Sequence, residues 1–223
     1  MRRLTMIFAI LFLLVIGVAA QDMSGAHVRI AHFSPDAGSV DLYVDGALLA
    51  EEVNFGDVTE WESYEAGKHV VTIVPTGETA DNSVLDVDVS LNDGDWVTVA
   101  VIGEAARDTL SAQVLLQDYS PTNEGETRVT FFNAIPDGRP VDFYANDVAL
   151  AVTVGYPGFL GPDSDGMASS DIVAGTYTLS AKGDDGSDLA AIEDVTLGAG
   201  RYYLFAAVGL AADPQYVFVS TDL

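Results

Sequence analysis

The sequence contains the same segment twice, at an offset of 101 residues. Residues 28–46 read VRIAHFSPDAGSVDLYVDG and residues 129–147 read VTFFNAIPDGRPVDFYAND, and the two align without a gap. The recurring positions are Pro35 and Pro136, Asp36 and Asp137, Val40 and Val141, Asp41 and Asp142, and Tyr43 and Tyr144. A period of this length is the size of a small domain and far exceeds that of a solenoid repeat. The chain is therefore predicted to hold two tandem copies of one domain.

Residues 1–20 have the layout of a secretory signal peptide. Arg2 and Arg3 form a short basic start, residues 6–17 are apolar, and residues 18–20 are small. The alternative is an uncleaved membrane anchor, because the uncharged stretch 4–20 is at the short limit for a membrane span. We expect cleavage, and therefore a secreted protein that is extracellular or resides in the cell envelope.

The chain is strongly acidic, with nine basic and 34 acidic residues and a net charge of −25. Without residues 1–20, which hold two of the basic residues, seven basic residues face 34 acidic ones and the net charge is −27. Such a surface repels phosphate backbones and anionic lipid, so we expect no nucleic-acid partner and no membrane contact after signal cleavage. The chain has no cysteine, which excludes disulfides, and each copy must be stabilised by its core.

Short strands separated by turns account for most of the sequence that follows residue 20. Val40, Leu42 and Val44 alternate with polar residues, which is the period of a half-buried strand, and Asp45-Gly46 then gives a hairpin signal. No window of a dozen residues has a helical period. This pattern predicts an all-β fold with one β-sandwich at 21–117 and another at 127–223, joined by a polar linker at 118–126.

The first copy resembles a known family. The residues that carry the resemblance are His32-Phe33-Ser34-Pro35-Asp36, Val40-Asp41, Tyr43-Val44-Asp45-Gly46 and Asn54-Phe55-Gly56-Asp57-Val58. They are similar to the family catalogued as domain of unknown function 4397, and the second copy fits it more loosely, with Asn133 in place of the histidine. The resemblance implies exported bacterial or archaeal proteins with immunoglobulin- or transthyretin-like β-sandwiches, often in tandem. It implies no activity and no catalytic residue.

One candidate interaction surface occurs in both copies. Asp41 and Tyr43 share a strand face, and Asp142 and Tyr144 share the corresponding face of the second copy. Tyrosine gives a large contact area at low entropic cost, so these four residues are a candidate partner-binding surface. The structural alternative is that each aspartate bonds to nearby backbone or to Arg29, while the tyrosine covers the sheet.

A candidate metal site lies in an insertion of about seven residues that the second copy carries at 161–167. Asp163 and Asp165 alternate beside Gly166, as in oxygen-ligand sites for calcium. The loop does not complete an EF-hand, and acidic turns are common in a chain of this composition. Calcium bound by Asp163 and Asp165 is the one cofactor that the sequence suggests.

Catalysis finds little support in the sequence. His27, His32 and His69 have no histidine counterpart in the second copy, and no nucleophile elbow or zinc-type spacing occurs. We therefore expect a non-catalytic binding or structural protein whose partner is an envelope polymer, a glycan or a protein. The alternatives are a calcium-stabilised adhesion module and a carbohydrate-active hydrolase that uses Asp/Glu pairs.

Trp61 could stack on a partner or pack at a sandwich edge.

Overall fold

The computed structural model describes residues 25–162 and 164–222. The predicted signal peptide at 1–20 lies outside these residues. The first copy contains eight strands: β1 Ala26–His32, β2 Val40–Val44, β3 Ala47–Val53, β4 Glu62–Tyr64, β5 Gly67–Pro75, β6 Leu85–Leu91, β7 Trp96–Ile102 and β8 Ser111–Gln117. Two single turns of 3₁₀ helix, Ala80–Asn82 and Ala105–Arg107, complete it.

The second copy repeats this succession of strands. Its strands are β9 Glu126–Asn133, β10 Val141–Ala145, β11 Val148–Val154, β12 Met167–Val173, β13 Gly175–Gly183, β14 Asp188–Leu197, β15 Tyr202–Leu210 and β16 Asp213–Thr221. Strand β8 ends at Gln117 and β9 begins at Glu126. The division into 21–117, 118–126 and 127–223 stays a prediction.

Each copy forms two four-stranded sheets with the same strand order. The sheets that we call inner have the orders β4-β1-β7-β8 and β12-β9-β15-β16. The sheets that we call outer have the orders β3-β2-β5-β6 and β11-β10-β13-β14. All pairs are antiparallel except β1 with β7 and β9 with β15, which are parallel. The prediction of two tandem all-β sandwiches is confirmed.

Each sandwich has its own core between its inner and outer sheets. In the first copy Val28, Ile30 and Val99 of the inner sheet pack against Leu42 and Ile73 of the outer sheet. In the second copy Phe131 of the inner sheet stacks on Phe143 of the outer sheet with ring centroids 4.9 Å apart, and Phe205 meets Phe143 edge-on at 5.7 Å. The alternation of apolar and polar residues along β2 and β10 therefore turns Val and Leu or Phe inward, and Asp and Tyr outward.

A third core lies between the two inner sheets and joins the copies. It consists of Ala31, Phe33, Ala100, Ile102 and Leu115 of the first copy and Phe132, Ala134, Leu204, Ala206 and Val208 of the second. Within this core the rings of Phe33 and Phe132 lie 6.1 Å apart. The molecule is thus a stack of four sheets in the order outer, inner, inner, outer.

Corresponding strands of the two copies run in the same direction. Trp96 and Tyr202, the first residues of β7 and β15, both contact the ring of Tyr119. Phe33 and Phe132 are also in contact, and they lie at the C-terminal ends of β1 and β9. The Pro-Asp turns at 34–37 and 135–138 therefore lie at the same end of the stack, which we call the loop end. The Asp45-Gly46 hairpin and its counterpart at 146–147 lie at the other end.

Candidate functional site

The repeated Asp41 is directed into its own hairpin. Its Oδ1 accepts hydrogen bonds from the Glu52 amide at 2.9 Å and the Thr76 hydroxyl at 3.0 Å, and its Oδ2 accepts one from the Gly77 amide at 3.3 Å. The residue is only 7% exposed. The Glu52 amide, together with the other donors, holds the pKa of the Asp41 carboxyl below its ordinary value.

Asp142 makes the corresponding bond in the second copy, where its Oδ1 accepts from the Thr153 amide at 2.7 Å. Glu52 and Thr153 both have a left-handed backbone, with φ of 54° and 57°, and both lie where strand pairing shifts register. Each aspartate thus holds a β-bulge in the edge strand beside it. The repetition of this residue follows from the backbone that it stabilises.

The four residues of the candidate partner surface do not lie together. Tyr43 and Tyr144 are partly exposed on the outer faces of the two outer sheets. Because those sheets form opposite sides of the four-layer stack, the two faces point in opposite directions. Partner binding by Asp41, Tyr43, Asp142 and Tyr144 stays a prediction, and it would involve two separate surfaces.

The candidate calcium ligands belong to the connection between β11 and β12. Asp163 lies outside the described residues, and the Oδ1 of Asp165 accepts a hydrogen bond from the Met167 amide at 3.0 Å, which closes a local turn. Across residues 25–162 and 164–222 no group of three or more His, Asp and Glu side chains is arranged to hold a metal ion. Calcium binding at Asp163 and Asp165 stays a prediction.

A row of aromatic rings lies at the junction of the copies, at the end opposite the loop end. His27, Trp96, Tyr119 and Tyr202 follow one another with successive centroid distances of 3.9, 4.7 and 4.7 Å. Trp96 uses one ring face for His27 and the other for Tyr119. These faces are already covered within the chain, so the row joins the copies and offers little to a flat ligand.

Trp61 belongs to the same junction. Its ring meets Trp96 edge-on at 4.9 Å, and its Nε1 donates a hydrogen bond of 3.0 Å to the Thr221 hydroxyl of the second copy. The Arg29 guanidinium lies over the indole at 4.3 Å. The sequence left two roles open for Trp61, stacking on a partner and packing at the edge of the sandwich. Its contacts are those of packing at the edge of the sandwich.

Arg29 is buried between the copies at 3% exposure. Its Nε donates to the Thr98 hydroxyl at 2.9 Å and its Nη2 to the Gln117 Oε1 at 3.2 Å, and both partners are neutral. Burial lowers the pKa of Arg29 to about 10, so the side chain remains charged at neutral pH. The pair that Arg29 forms with Trp61 corresponds in the second copy to Thr130 and Ser169, whose hydroxyls lie 3.1 Å apart.

A cavity of about 280 Å³ opens at the loop end of the second copy. Three connections enclose it: the turn after β9, the β13–β14 hairpin and the β15–β16 hairpin. The lining residues that bear on its chemistry are Ile135, Asp137, Arg139, Asp185, Ser187 and Leu189. Ile135 is only 1% exposed and Leu189 is half-buried, so Leu189 forms the accessible part of an apolar floor below a polar rim.

The polar rim is held in place by backbone hydrogen bonds. The Oδ1 of Asp137 accepts from the Ala211 amide at 2.8 Å, and the Oδ1 of Asp185 accepts from the Ser187 amide at 3.0 Å. The hydroxyl and amide of Ser187 hold the pKa of Asp185 below its ordinary value, so this carboxyl is ionised at neutral pH. Arg139 reaches Asp184 with its Nη1 at 3.4 Å and is otherwise largely exposed.

No local pattern of the sequence indicates this cavity. Asp185 belongs to the acidic turn Asp184-Asp185-Gly186-Ser187-Asp188, whose alternating carboxylates suggest a calcium site, and Arg139 is one of the few cations of the chain. A usable signal was the difference between the copies inside the repeated segment, where Ser34 and Gly38 of the first copy correspond to Ile135 and Arg139.

A family model described as "Domain of unknown function (DUF4397)" matches residues 26–144 and again residues 127–223. The chain belongs to this family. The two matches correspond to the two copies and overlap at 127–144. The resemblance expected from the Pro-Asp and Val-Asp segments is therefore confirmed, and no curated protein matches this DUF4397 chain.

Solved structures provide distant likenesses to the DUF4397 chain. A Bacteroides uniformis protein named as a candidate for cell adhesion is 14% identical, with 89% of this chain and 97% of that one covered and a TM-score of 0.28. An α-glucan-recognising family 41 carbohydrate-binding module of streptococcal virulence factors is 14% identical, with coverage of 86% and 96% and a TM-score of 0.26. A family 26 module of Eubacterium rectale Amy13K, solved with maltoheptaose, is 9% identical, with coverage of 88% and 98% and a TM-score of 0.28. These scores carry no inference about what the DUF4397 chain binds.

Within the part of the DUF4397 chain that the structure describes, no helix has the length and apolar character needed to cross a membrane.

Proposed function

We propose that this chain is an exported, acidic, non-catalytic binding protein of the cell envelope or extracellular space, and that it holds an envelope glycan at its loop end. The observation that carries the proposal is the common direction of the two copies. Because the inner sheets pack on each other with corresponding strands running in the same direction, corresponding connections of the two copies, such as the Pro-Asp turns, lie at the same end of a single body. Loops held on a rigid scaffold are the usual location of recognition sites.

The loop end also contains the cavity beside Ile135 and Arg139. An apolar floor with a few oriented polar groups is the usual composition of a ligand site. The surface charge of the chain opposes nucleic acid and anionic lipid as partners, which leaves neutral polymers and proteins.

The engagement of the histidines supports a non-catalytic role. His27 stacks on Trp96, His32 is buried with its Nε2 2.7 Å from the Gly38 carbonyl, and the Nδ1 of His69 lies 2.7 Å from the Asp45 carboxylate. A glycosidase needs a carboxylic acid whose pKa is raised, so that it can protonate the leaving group. The Asp185 carboxyl of the cavity has a lowered pKa, which is opposite to what a general acid requires.

The proposal is tested with residues 21–223 and insoluble envelope polysaccharide in a co-sedimentation assay. We expect the protein to sediment with the polymer and to release no reducing sugar during long incubation. Release of reducing sugar would favour the hydrolase alternative. Absence of co-sedimentation, with retention on envelope protein only, would contradict glycan binding and favour a protein partner.

A further inference from the structure

The loop-end cavity is limited in size. Its volume of about 280 Å³ is just below that of the smallest typical ligand pockets, about 300 Å³. The surrounding loops are tight: a Cβ on Gly138 would lie 2.6 Å from the Ile135 Cγ2, and a Cβ on Gly183 would lie 2.7 Å from the Ser187 Oγ. The cavity therefore takes one small unit of a ligand, with the remainder outside.

The rim presents both hydrogen-bond acceptors and donors to that unit. Asp137 and Asp185 each use their Oδ1 for a backbone amide, and an ionised carboxylate has about four acceptor positions, so acceptor capacity remains. Arg139 brings a fork of about five N–H donors, and Ser187 has a hydroxyl that donates and accepts. A ligand rich in hydroxyl groups, each of which both donates and accepts, matches this mixture.

Charge distinguishes a neutral ligand from an anionic one. The cation of Arg139 is accompanied by Asp137, Asp184 and Asp185, and the whole chain has a net charge of −25. A carboxylate or phosphate entering the cavity would approach the two lining carboxylates of Asp137 and Asp185 and only one guanidinium, which costs energy even after screening by salt. The half-buried Leu189 of the floor supplies an apolar surface on which the C–H face of a sugar ring can pack.

The first copy serves as an internal comparison. It keeps the turn aspartate as Asp36, whose carboxylate accepts from the amides of Ala105 and Ala106 at 2.7 and 2.9 Å. It has Ser34 in place of the apolar Ile135 and Gly38 in place of Arg139. The floor and the guanidinium are therefore specific to the second copy, while the turn that supports them is common to both.

We propose that the cavity formed by Ile135, Asp137, Arg139, Asp185, Ser187 and Leu189 binds one neutral sugar residue, such as the terminal unit of an envelope glycan. This inference rests on the proposed function and gives it a site. Because only the second copy has the floor and the guanidinium, each chain binds one sugar.

The test is an NMR titration of ¹⁵N-labelled residues 21–223 with four neutral trisaccharides and one anionic one. The neutral probes are the β-1,4 trimers of glucose and of N-acetylglucosamine and the α-linked trimers of glucose and of mannose, and trigalacturonate is the anionic probe. We expect at least one neutral probe to shift the amides of Arg139, Ser187 and Leu189 with one site per chain, and trigalacturonate to bind more weakly.

Two arginine variants test the contacts in the same titration. Arg139→Ala should weaken binding of the neutral probe about tenfold, which is the effect of losing one hydrogen bond to a charged group. Arg201→Ala is the matched control, because Arg201 is also exposed and pairs with one acid, Asp222, at 3.1 Å, but lies at the opposite end of the stack. The control should bind like the wild-type chain, and equal melting temperatures would show that both variants fold.

Three outcomes would overturn the inference: no neutral trisaccharide shifts these amides, trigalacturonate binds more tightly than every neutral probe, or Arg139→Ala binds as well as Arg201→Ala. Co-sedimentation with envelope polysaccharide separates this failure from failure of the proposed function. If Arg139→Ala sediments with the polymer as the wild type does, the cavity is not the site while the function stands. If the wild type does not sediment, the function itself is wrong.

Discussion

The inner and outer sheets differ in how completely their strands are buried. All seven residues of β7 are buried, and so are eight of the nine residues of β15. In β6 of an outer sheet, by contrast, buried positions alternate with exposed ones towards the end of the strand. A central strand of an inner sheet, such as β7 or β15, has a sheet on each face, whereas an outer strand has a sheet on one face and water on the other. A continuous apolar strand in each copy thus marks a second packing partner.

The two inner sheets are related by the repeat but not identical where they meet. Ala31 and Phe33 of β1 and its following turn correspond to Phe132 and Ala134 of the second copy, so the large and small residues exchange places. Arg29 beside Trp61 has its counterpart in the hydroxyl pair of Thr130 and Ser169. The two copies therefore differ at the face that they share, and the side chains of one copy are complementary to those of the other.

The largest change in stability is expected from substitutions at two neighbouring residues of β8, which test the burial of the inner sheets. Leu115 is fully buried between the copies and Leu116 is 56% exposed. Leu115→Asp should destabilise the chain by more than about 4 kcal/mol, because it places a charge without a partner in an apolar core. Leu116→Asp should change the free energy of unfolding by less than about 0.5 kcal/mol. Urea denaturation of both variants measures this, and similar losses would contradict the four-layer order.

The next largest effect tests the asymmetry of the junction. Arg29→Ala removes the donor to Thr98 and Gln117 and uncovers the Trp61 ring, and should cost about 2–4 kcal/mol. Thr130→Ala, at the equivalent position, removes one hydroxyl contact and should cost about 1 kcal/mol. Chemical denaturation gives both values. Arg29→Met, which keeps the apolar stem, should lose less than Arg29→Ala, and equal losses would show that the charge alone matters.

A smaller effect compares the two bulge-holding aspartates. Asp41→Ala loses three donors at a buried position and should cost about 2 kcal/mol, whereas Asp142→Ala loses the Thr153 contact and should cost about 1 kcal/mol. Because the folded-state pKa of Asp41 is lowered, its contribution is present above the ordinary value near ~4 and is lost as the pH falls through the lower value. Loss of partner binding without loss of stability in both variants would instead support the predicted Asp-Tyr surfaces.

The smallest expected effect is a pH dependence confined to the first copy, because the second has no histidine. The hydrogen bond from Asp45 raises the pKa of His69, so its contribution is complete below about 6.5 and is lost as the pH rises through the raised value. Burial lowers the pKa of His32, so its contribution is complete above about 6.5 and is lost as the pH falls through the lowered value.

Urea midpoints between pH 5 and pH 8 separate the two histidines. His69→Gln should flatten the loss of stability towards pH 8. His32→Asn, which introduces the residue of the second copy, should flatten the loss towards pH 5. Unchanged slopes in both variants would show that neither histidine titrates differently in the folded and unfolded states.

Parts of the candidate site could be read from the sequence and parts could not. A bond from Asp41 to nearby backbone could be predicted from its place in a hairpin, whereas the bulge at Glu52 that supplies the amide could not. The cavity depends on Ile135, Leu189 and Ala211, which lie in three separate connections. Local sequence patterns indicate only how residues that are close in the chain are arranged. These three connections come together because β9, β13 and β15 end at the same end of the stack.

The tandem repeat, the all-β sandwiches, the family and the absence of disulfides could all be predicted from the order of the amino acids. These follow from period-two alternation, turn residues and composition, which act over a few neighbouring residues or along a single alignment. The folded chain was needed to show that the inner sheets pack on each other, that the Asp-Tyr faces point apart, and that corresponding loops of the two copies lie at the same end. Those features depend on which apolar sheet faces pack against each other. The hydrophobic effect is non-directional, so the pairing of faces is set by how well their shapes fit when they pack.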